Sequence, residues 1–148
     1  MTEQLNAKRL EEAIDAFNQG GYAELDRFLA DDIVWHVGGA HRLSGIYRGR
    51  EAVAEYHERA RALCDEPLLL GQAEIFAGKS HVAVFLRIRG KRRGVILDVA
   101  VAEAIALDDD GRWTDYRALC EEQAKIDQFW GPALVDLRTT DPKAAVSS

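Results

Sequence analysis

Past Pro67 the chain changes its period, and that switch constrains the fold more than any other feature. Upstream, apolar side chains recur every three or four residues; downstream, they alternate one by one. The clearest stretch is "VILDVAVAEAIALDDDGRW", residues 95 to 113. One face of it carries Val95, Leu97, Val99, Val101, Glu103, Ile105 and Leu107; the other carries Asp98 and the alanines 100, 102, 104 and 106. A face that bulky must be covered, so the helices belong on it.

Four strands are expected, at about 68 to 76, 80 to 89, 94 to 107 and 112 to 122, separated by AGKS, GKRR and DDDG, which suit hairpin turns. Their inner sets add Val82, Val84, Leu86 and Ile88, then Tyr116, Ala118 and Cys120. Before Pro67, residues 3 to 19 form a helix with Leu10, Ala13, Ile14 and Phe17 on one side, Thr2 as N-cap and Gly20-Gly21 as stop. A shorter amphipathic piece carries Tyr22, Leu25, Phe28 and Leu29 and ends at Asp31-Asp32. "IVWHV", 33 to 37, is a short strand, "GGAHRLSGIYRG" a loop, and Glu51 to Leu63 a third helix with Ala52, Val53, Tyr56, Ala60 and Leu63 on one stripe. The expected fold is α+β, an antiparallel meander with three helices on one face. "IDQFW", 126 to 130, is positioned to close the open end as a short helix. Residues 1 to 133 are expected to be a single domain, and 134 to 148, where periodicity stops, a disordered tail.

Composition excludes several function classes. A net charge of −6 and a pI near 5.2 give no cationic face for nucleic acid or anionic membrane. No apolar run reaches the roughly 20 residues that cross a bilayer. Cys64 and Cys120 form no CxxC pair and the start MTEQLNAKRL has no apolar signal core, so a reduced cytoplasmic protein is expected. Cysteines and histidines are scattered, without metal-ligand spacing, so no metal is expected.

Glu103 is the one ionisable residue in the inner sets. Burying a carboxylate costs several kcal/mol unless it pairs, accepts hydrogen bonds or takes up a proton, and a buried neutral acid can donate or hold a proton for transfer. A β-bulge near it would instead turn it outward toward Arg87 and Arg117, and a structural buried pair is the third alternative. His36 and His41 are candidate proton partners near the mouth. Strict alternation points His36 away from Trp35 and Val37, leaving a structural hydrogen-bonded role open; His41, in its glycine-rich loop, reads as a lid residue or a solvated one. His57 and His81 read as surface. Phe17, Trp35, Val37, Tyr56, Val99, Val101, Tyr116, Ala118, Cys120 and Trp130 are the candidate lining of an apolar pocket.

On the outer face the alanine row, with Ala83, Phe85, Trp113 and Leu119 in the middle and Arg87, Arg89, Asp115, Arg117 and Glu121 at the rim, suits a two-fold homodimer. "RIRGKRR", 87 to 93, puts five cations in seven residues at a hairpin, read as a solvated tip or an anion-facing patch.

Three segments in order, "AFNQGGYAELDRFLADDIVWHV", "LSGIYRGREAVAEYH" and "DDDGRWTDYRALCEE", resemble the SnoaL-like and ketosteroid isomerase-like proteins of the nuclear transport factor two superfamily, over about residues 5 to 130. The resemblance implies a cone-shaped half-barrel with an apolar pocket at its open end, often dimeric and free of cofactors. It implies, too, that Glu103 stands where ketosteroid isomerases keep a protonated acid in the oxyanion hole. Val37 stands where they keep the general base, Ala13 where they keep a tyrosine donor, and Ala118 where limonene epoxide hydrolases keep an aspartate. SnoaL-like cyclases often carry a histidine near position 36. The expected activity is therefore cofactor-independent acid/base chemistry on a small hydrophobic molecule, with Glu103 as donor or acid/base and His36 or His41 as its partner. A non-catalytic binding module and a dimeric interaction domain are the alternatives.

Overall fold

The computed structural model describes residues 2–133; the expected tail lies outside them. Helix α1, Glu3–Gly20, starts where the Thr2 side chain accepts from the Leu5 amide and stops at Gly21, whose φ of 69° is a conformation that glycine adopts without strain. Then come α2, Tyr22–Leu25, a 3-10 turn over Asp26–Phe28, strands β1, Leu29–Val37, and β2, Gly45–Arg48, and helix α3, Arg50–Leu63. Strands β3, Leu69–Ala77, β4, His81–Arg92, β5, Val95–Leu107, and β6, Trp113–Leu119, follow, and α4, Gln123–Trp130, closes the described chain. The expected short helix at 126 to 130 is the C-terminal part of α4.

All six strands form one curved, unclosed sheet in the order β2-β1-β6-β5-β4-β3. The meander from β3 to β6 is antiparallel, as the turns imply. Two features differ from the sequence reading. The loop after Val37 contains β2, which pairs back on β1 with Trp35 opposite Tyr47. The β1-β2 hairpin joins the sheet through a parallel pairing with β6, Trp35 opposite Tyr116. That pairing brings the first strand of the chain to the last, a connection no local pattern encodes.

Along β4 and β5 the ladder is unbroken from His81–Ala106 to Arg92–Val95. The inner face therefore keeps its phase, and Val84, Leu86, Val99, Val101 and Ile105 are all buried. Each such aliphatic side chain contributes about 1.5–3 kcal/mol on leaving water. A bulge does occur, between Ala106 and Leu107, where Leu107 pairs with Trp113 and Ala106 with Asp115. It turns Trp113 inward, against the expectation that it sits on the outer face; Trp113 is buried and stacks on Trp35. Helix α1 lies over β3 and β4 and α3 over β1 and β2. Asn6 ties α1 to the β3-β4 turn by donating to the Gly78 and Lys79 carbonyls, and Asn18 ties it to both backbone groups of Leu70. The basic hairpin is only partly a solvated tip: Arg92 turns inward, 8% exposed, and donates to the Phe129 carbonyl, while the Asp65 carboxylate accepts from the amides of Arg93 and Gly94.

Candidate functional site

Glu103 sits mid-strand, with Val84 opposite on β4 and Ala118 opposite on β6. Its side chain is 7% exposed and points into the space between helices and sheet. The Tyr116 hydroxyl donates a short hydrogen bond to Oε2. Removal from water pushes the carboxyl up to about 7, against the pull of that hydrogen bond in the other direction. Burial likewise raises Tyr116, helped by the neighbouring Glu103 charge, so the phenol remains the donor of the pair. Trp35 stacks on the Tyr116 ring with centroids 3.7 Å apart and planes 12° from parallel, which fixes the hydroxyl's direction.

Two small hollows meet at this pair. The inner one, about 90 Å³, lies under α1 and α3 and is walled by Glu103, Tyr116, Tyr56, His57 and Trp113 among others. A second, about 100 Å³, runs toward α4, past Val37, Val101, Ala118, Cys120 and Trp130. Trp35, Tyr56, Leu68, Ile88 and Tyr116 belong to both. Of the expected lining residues, Phe17 joins the inner hollow and Trp35, Tyr56 and Tyr116 both hollows; Val99 lines neither, being fully buried core. Cys120 donates its thiol to the Ala100 carbonyl. The Tyr56 hydroxyl has no hydrogen-bond partner among the described residues and lies close enough to Glu103 for that charge to raise it, although burial is the larger cause.

The histidines are arranged otherwise than the sequence reading expects. His36 follows strict alternation: its Nε2 lies 3.0 Å from Asp115 Oδ2 on the outer face, one residue along β6 from Tyr116. Its Nε2 is thus engaged by Asp115 and not by Glu103, although the residue also borders the second hollow. His41 is neither a lid nor a solvated residue. It is 4% exposed, its Nδ1 accepts from the Leu43 amide at 3.1 Å, and burial lowers its pKa. Neither hollow is lined by it.

His57, read as a surface residue, is the histidine that shares the inner hollow with Glu103. It is stacked on Tyr22 at 4.3 Å and meets Trp35 and Tyr56 edge-on at 4.9 and 4.7 Å. Its Nδ1 lies 2.9 Å from the Val53 carbonyl, which can only accept, so the proton is on Nδ1 and Nε2 carries the lone pair. Burial pushes its pKa down to about 4, keeping the ring neutral near pH 7. The signal was present in the chain: His57 is four residues after Val53 and three before Ala60, on the stripe that α3 buries. Among the described residues no group of three or more His, Cys, Asp or Glu is placed to hold a metal, and no helix is long and apolar enough to cross a membrane.

The site therefore offers a carboxyl poised near neutrality, a phenol bonded to it, a second phenol with its hydroxyl unengaged, and a neutral imidazole, in apolar surroundings. This constellation can donate a proton to an oxygen and accept one from carbon without charge entering from water.

Comparison with known proteins places this geometry. A solved Xanthomonas campestris protein of unknown function with a cystatin-like fold is 27% identical, covers 88% of this chain and 99% of its own, and superposes with a TM-score of 0.78. A second X. campestris structure, provisionally named a polyketide cyclase, is 18% identical, with 86% and 98% covered and a TM-score of 0.72. An uncharacterized protein of Mycobacterium tuberculosis is 26% identical over 131 residues, 88% of this chain and 99% of that protein. The SnoaL-like domain family matches residues 10–116. With that match over most of the described chain, the protein belongs to the SnoaL-like domain family, and its six-stranded curved sheet is the fold shared with solved NTF2-like proteins such as one from Burkholderia xenovorans, 20% identical with a TM-score of 0.75.

Proposed function

We propose that the protein is an acid/base enzyme of the cyclase, isomerase or dehydratase type, acting on a small hydrophobic carbonyl compound and using no cofactor. The observation that carries this reading is the Glu103 carboxyl, buried beside Tyr116 in an apolar hollow and held near neutral pKa. In its ionised form Glu103 removes a proton from the carbon next to the carbonyl while Tyr116 and Tyr56 donate hydrogen bonds to the oxygen on which charge develops. The proton it has taken up is then returned from the Glu103 carboxyl to carbon or to oxygen, restoring the carboxylate. Val37 and Ala13, standing where ketosteroid isomerases keep a base and a donor, argue against that enzyme's own reaction. The name of the X. campestris cyclase is compatible with ring closure through such an enol.

The test is deuterium exchange next to the carbonyl in a panel of uncharged ketones in D₂O, followed by NMR. Wild type is expected to exchange at least one of them faster than buffer, and Glu103→Gln at least about 100-fold more slowly than wild type. Exchange at the buffer rate throughout the panel, or an unimpaired Gln variant, sinks the reading.

The outer face supports a second copy of the chain as partner. Phe85 and Leu119, 54% and 78% exposed, lie opposite Ala102 from either side, and Phe76 meets Phe85 edge-on. Light scattering is expected to give a dimer in wild type and a monomer in Phe85→Lys; a wild-type monomer at micromolar concentration rules the interface out.

A further inference from the structure

The inner hollow is too small for a whole ligand. At about 90 Å³ it admits a few heavy atoms, whereas sites that enclose an organic ligand run to roughly 300–1,000 Å³. A much larger space, about 680 Å³, opens directly beside it, between α1 and α2 on one side and α3 on the other. Phe17, His57, Ala60 and Leu68 line both. The groove lies where α1 packs over β3 and β4 and α3 over β1 and β2, leaving a gap between the two helices, and α3 presents Ala54 and Ala60 to that gap where larger side chains would fill it. Its floor is apolar. Its rim carries Asp26, Glu58 and Arg61, charges of both signs, and Asp26 is already paired with Arg50. Such a rim favours neither an anionic nor a cationic chain end.

We infer that this groove is a subsite for an uncharged apolar extension of the substrate, so that the substrate class is an elongated carbonyl compound with its reacting end between Glu103 and Tyr116 and its chain between α1 and α3. The inference rests on the proposed acid/base reading for which end points inward. His57 stands at the junction, lining both spaces, held by its bond to Val53 and its stack on Tyr22. Tyr22 is itself fixed by its hydroxyl donating to Asp26 at 2.9 Å, so the groove's wall is braced rather than loose.

The test uses straight-chain methyl ketones from hexan-2-one to undecan-2-one, with dissociation constants measured by calorimetry on the full chain. In wild type, affinity is expected to rise about fourfold for each methylene that enters the groove. In Ala54→Phe, which narrows the α3 wall, and in Ala23→Phe, which narrows the opposite wall at an exposed position, the gain is expected to fall below 1.5-fold per methylene. Two variants on separate helices guard against one of them misfolding, and circular dichroism reports that directly. A flat series in wild type, or an undiminished gain in both variants, overturns the inference. The same series in Glu103→Gln separates this from the catalytic reading: a retained chain-length gain with no deuterium exchange in wild type would leave the groove in place and remove the acid/base role.

Discussion

Asp115 and Tyr116 are consecutive in the chain, yet each holds one half of a hydrogen-bonded pair in a different medium. Asp115 faces outward, where Arg117 and His36 donate to it; desolvation raises its pKa, but those hydrogen bonds outweigh it and leave the carboxyl below its usual range. Tyr116 faces inward, where its only ionisable hydrogen-bond partner is Glu103, and there desolvation wins. The two carboxyls, Asp115 and Glu103, stand on neighbouring strands of one sheet and are driven in opposite directions by the side of the sheet they occupy. Arg117 and His36 reach the outer carboxyl, whereas Tyr116 is the inner one's sole hydrogen-bond partner among the described residues, so the inner acid keeps its proton to about pH 7 while the outer one is held as an anion. What the protein gains inside is a group that changes protonation state where solvent does not compete with a substrate for it.

The largest effect should come from adding a second inner carboxyl. Val84 is 1% exposed and lies directly opposite Glu103, whereas Ala83, the residue before it, is exposed on the outer face. Val84→Asp should cost about 4 kcal/mol or more, because a carboxyl enters the packed core beside Glu103 without a cationic partner. Ala83→Asp should stay within about 1 kcal/mol of wild type. Urea denaturation of the two variants measures the contrast, and equal costs would mean that the faces are not electrostatically distinct.

Glu103 itself makes stability depend on pH in a direction opposite to most acids. Its folded-state value, about 7, lies above the roughly 4.3 of an unfolded glutamate. Between those values the folded chain holds a proton that the unfolded chain has released, so stability falls as pH rises. The contribution is complete below the unfolded value and lost once pH passes about 7, an effect of at most about 4 kcal/mol. Glu103→Gln cannot titrate. Its stability relative to wild type should therefore improve between pH 5 and pH 8, and a difference that does not change with pH would show that the carboxyl is not sheltered.

A smaller effect isolates the Tyr116 bond. Since that hydrogen bond pulls the carboxyl down against burial, Tyr116→Phe should raise the Glu103 midpoint further, by roughly one pH unit. The carboxyl's infrared C=O band, followed across pH, reports the midpoint directly. A lowered midpoint would mean that water enters the space left by the hydroxyl and that the hollow is wetter than its lining suggests.

The inward direction of Glu103 was legible because β5 alternates over its whole length and its ladder with β4 has no bulge to shift the phase. The same rule failed for Trp113 only because a bulge, invisible to periodicity, leaves Thr114 as an extra residue between it and Asp115. Strand β2 was missed for another reason: four residues, Gly45–Arg48, are too few to show a period, and they are held in the sheet by β1. His57 was legible by spacing and passed over because a polar residue on a helix is usually solvated; aromatic rings from α1, α2 and β1 cover it. The His36–Asp115 pair joins residues 79 apart through the one parallel pairing in the sheet, and only tertiary structure supplies that. Groove and hollow volumes, set by the gap between α1 and α3, were likewise outside the reach of the chain's pattern.

The smallest effect belongs to the outer pair, and it sharpens the contrast because its sign is reversed. The Asp115 carboxyl is held below its usual range by Arg117 and His36, so the stability it contributes is present above the unfolded-state value near 3.9 and is lost as pH falls through the lower folded-state value. Its side chain is 30% exposed, and partners in such a setting are worth roughly 0–1 kcal/mol after solvent screening. Asp115→Asn should therefore be slightly less stable than wild type at pH 7, with the gap closing in acid and shrinking when salt is raised from about 0.05 to about 0.5 M, which shortens the screening length severalfold. Denaturation midpoints of wild type and variant at pH 3 and pH 7 give the result. A loss at pH 7 as large as that produced by Val84→Asp would mean that the outer carboxyl is buried in the assembled protein, and that a second chain covers this face.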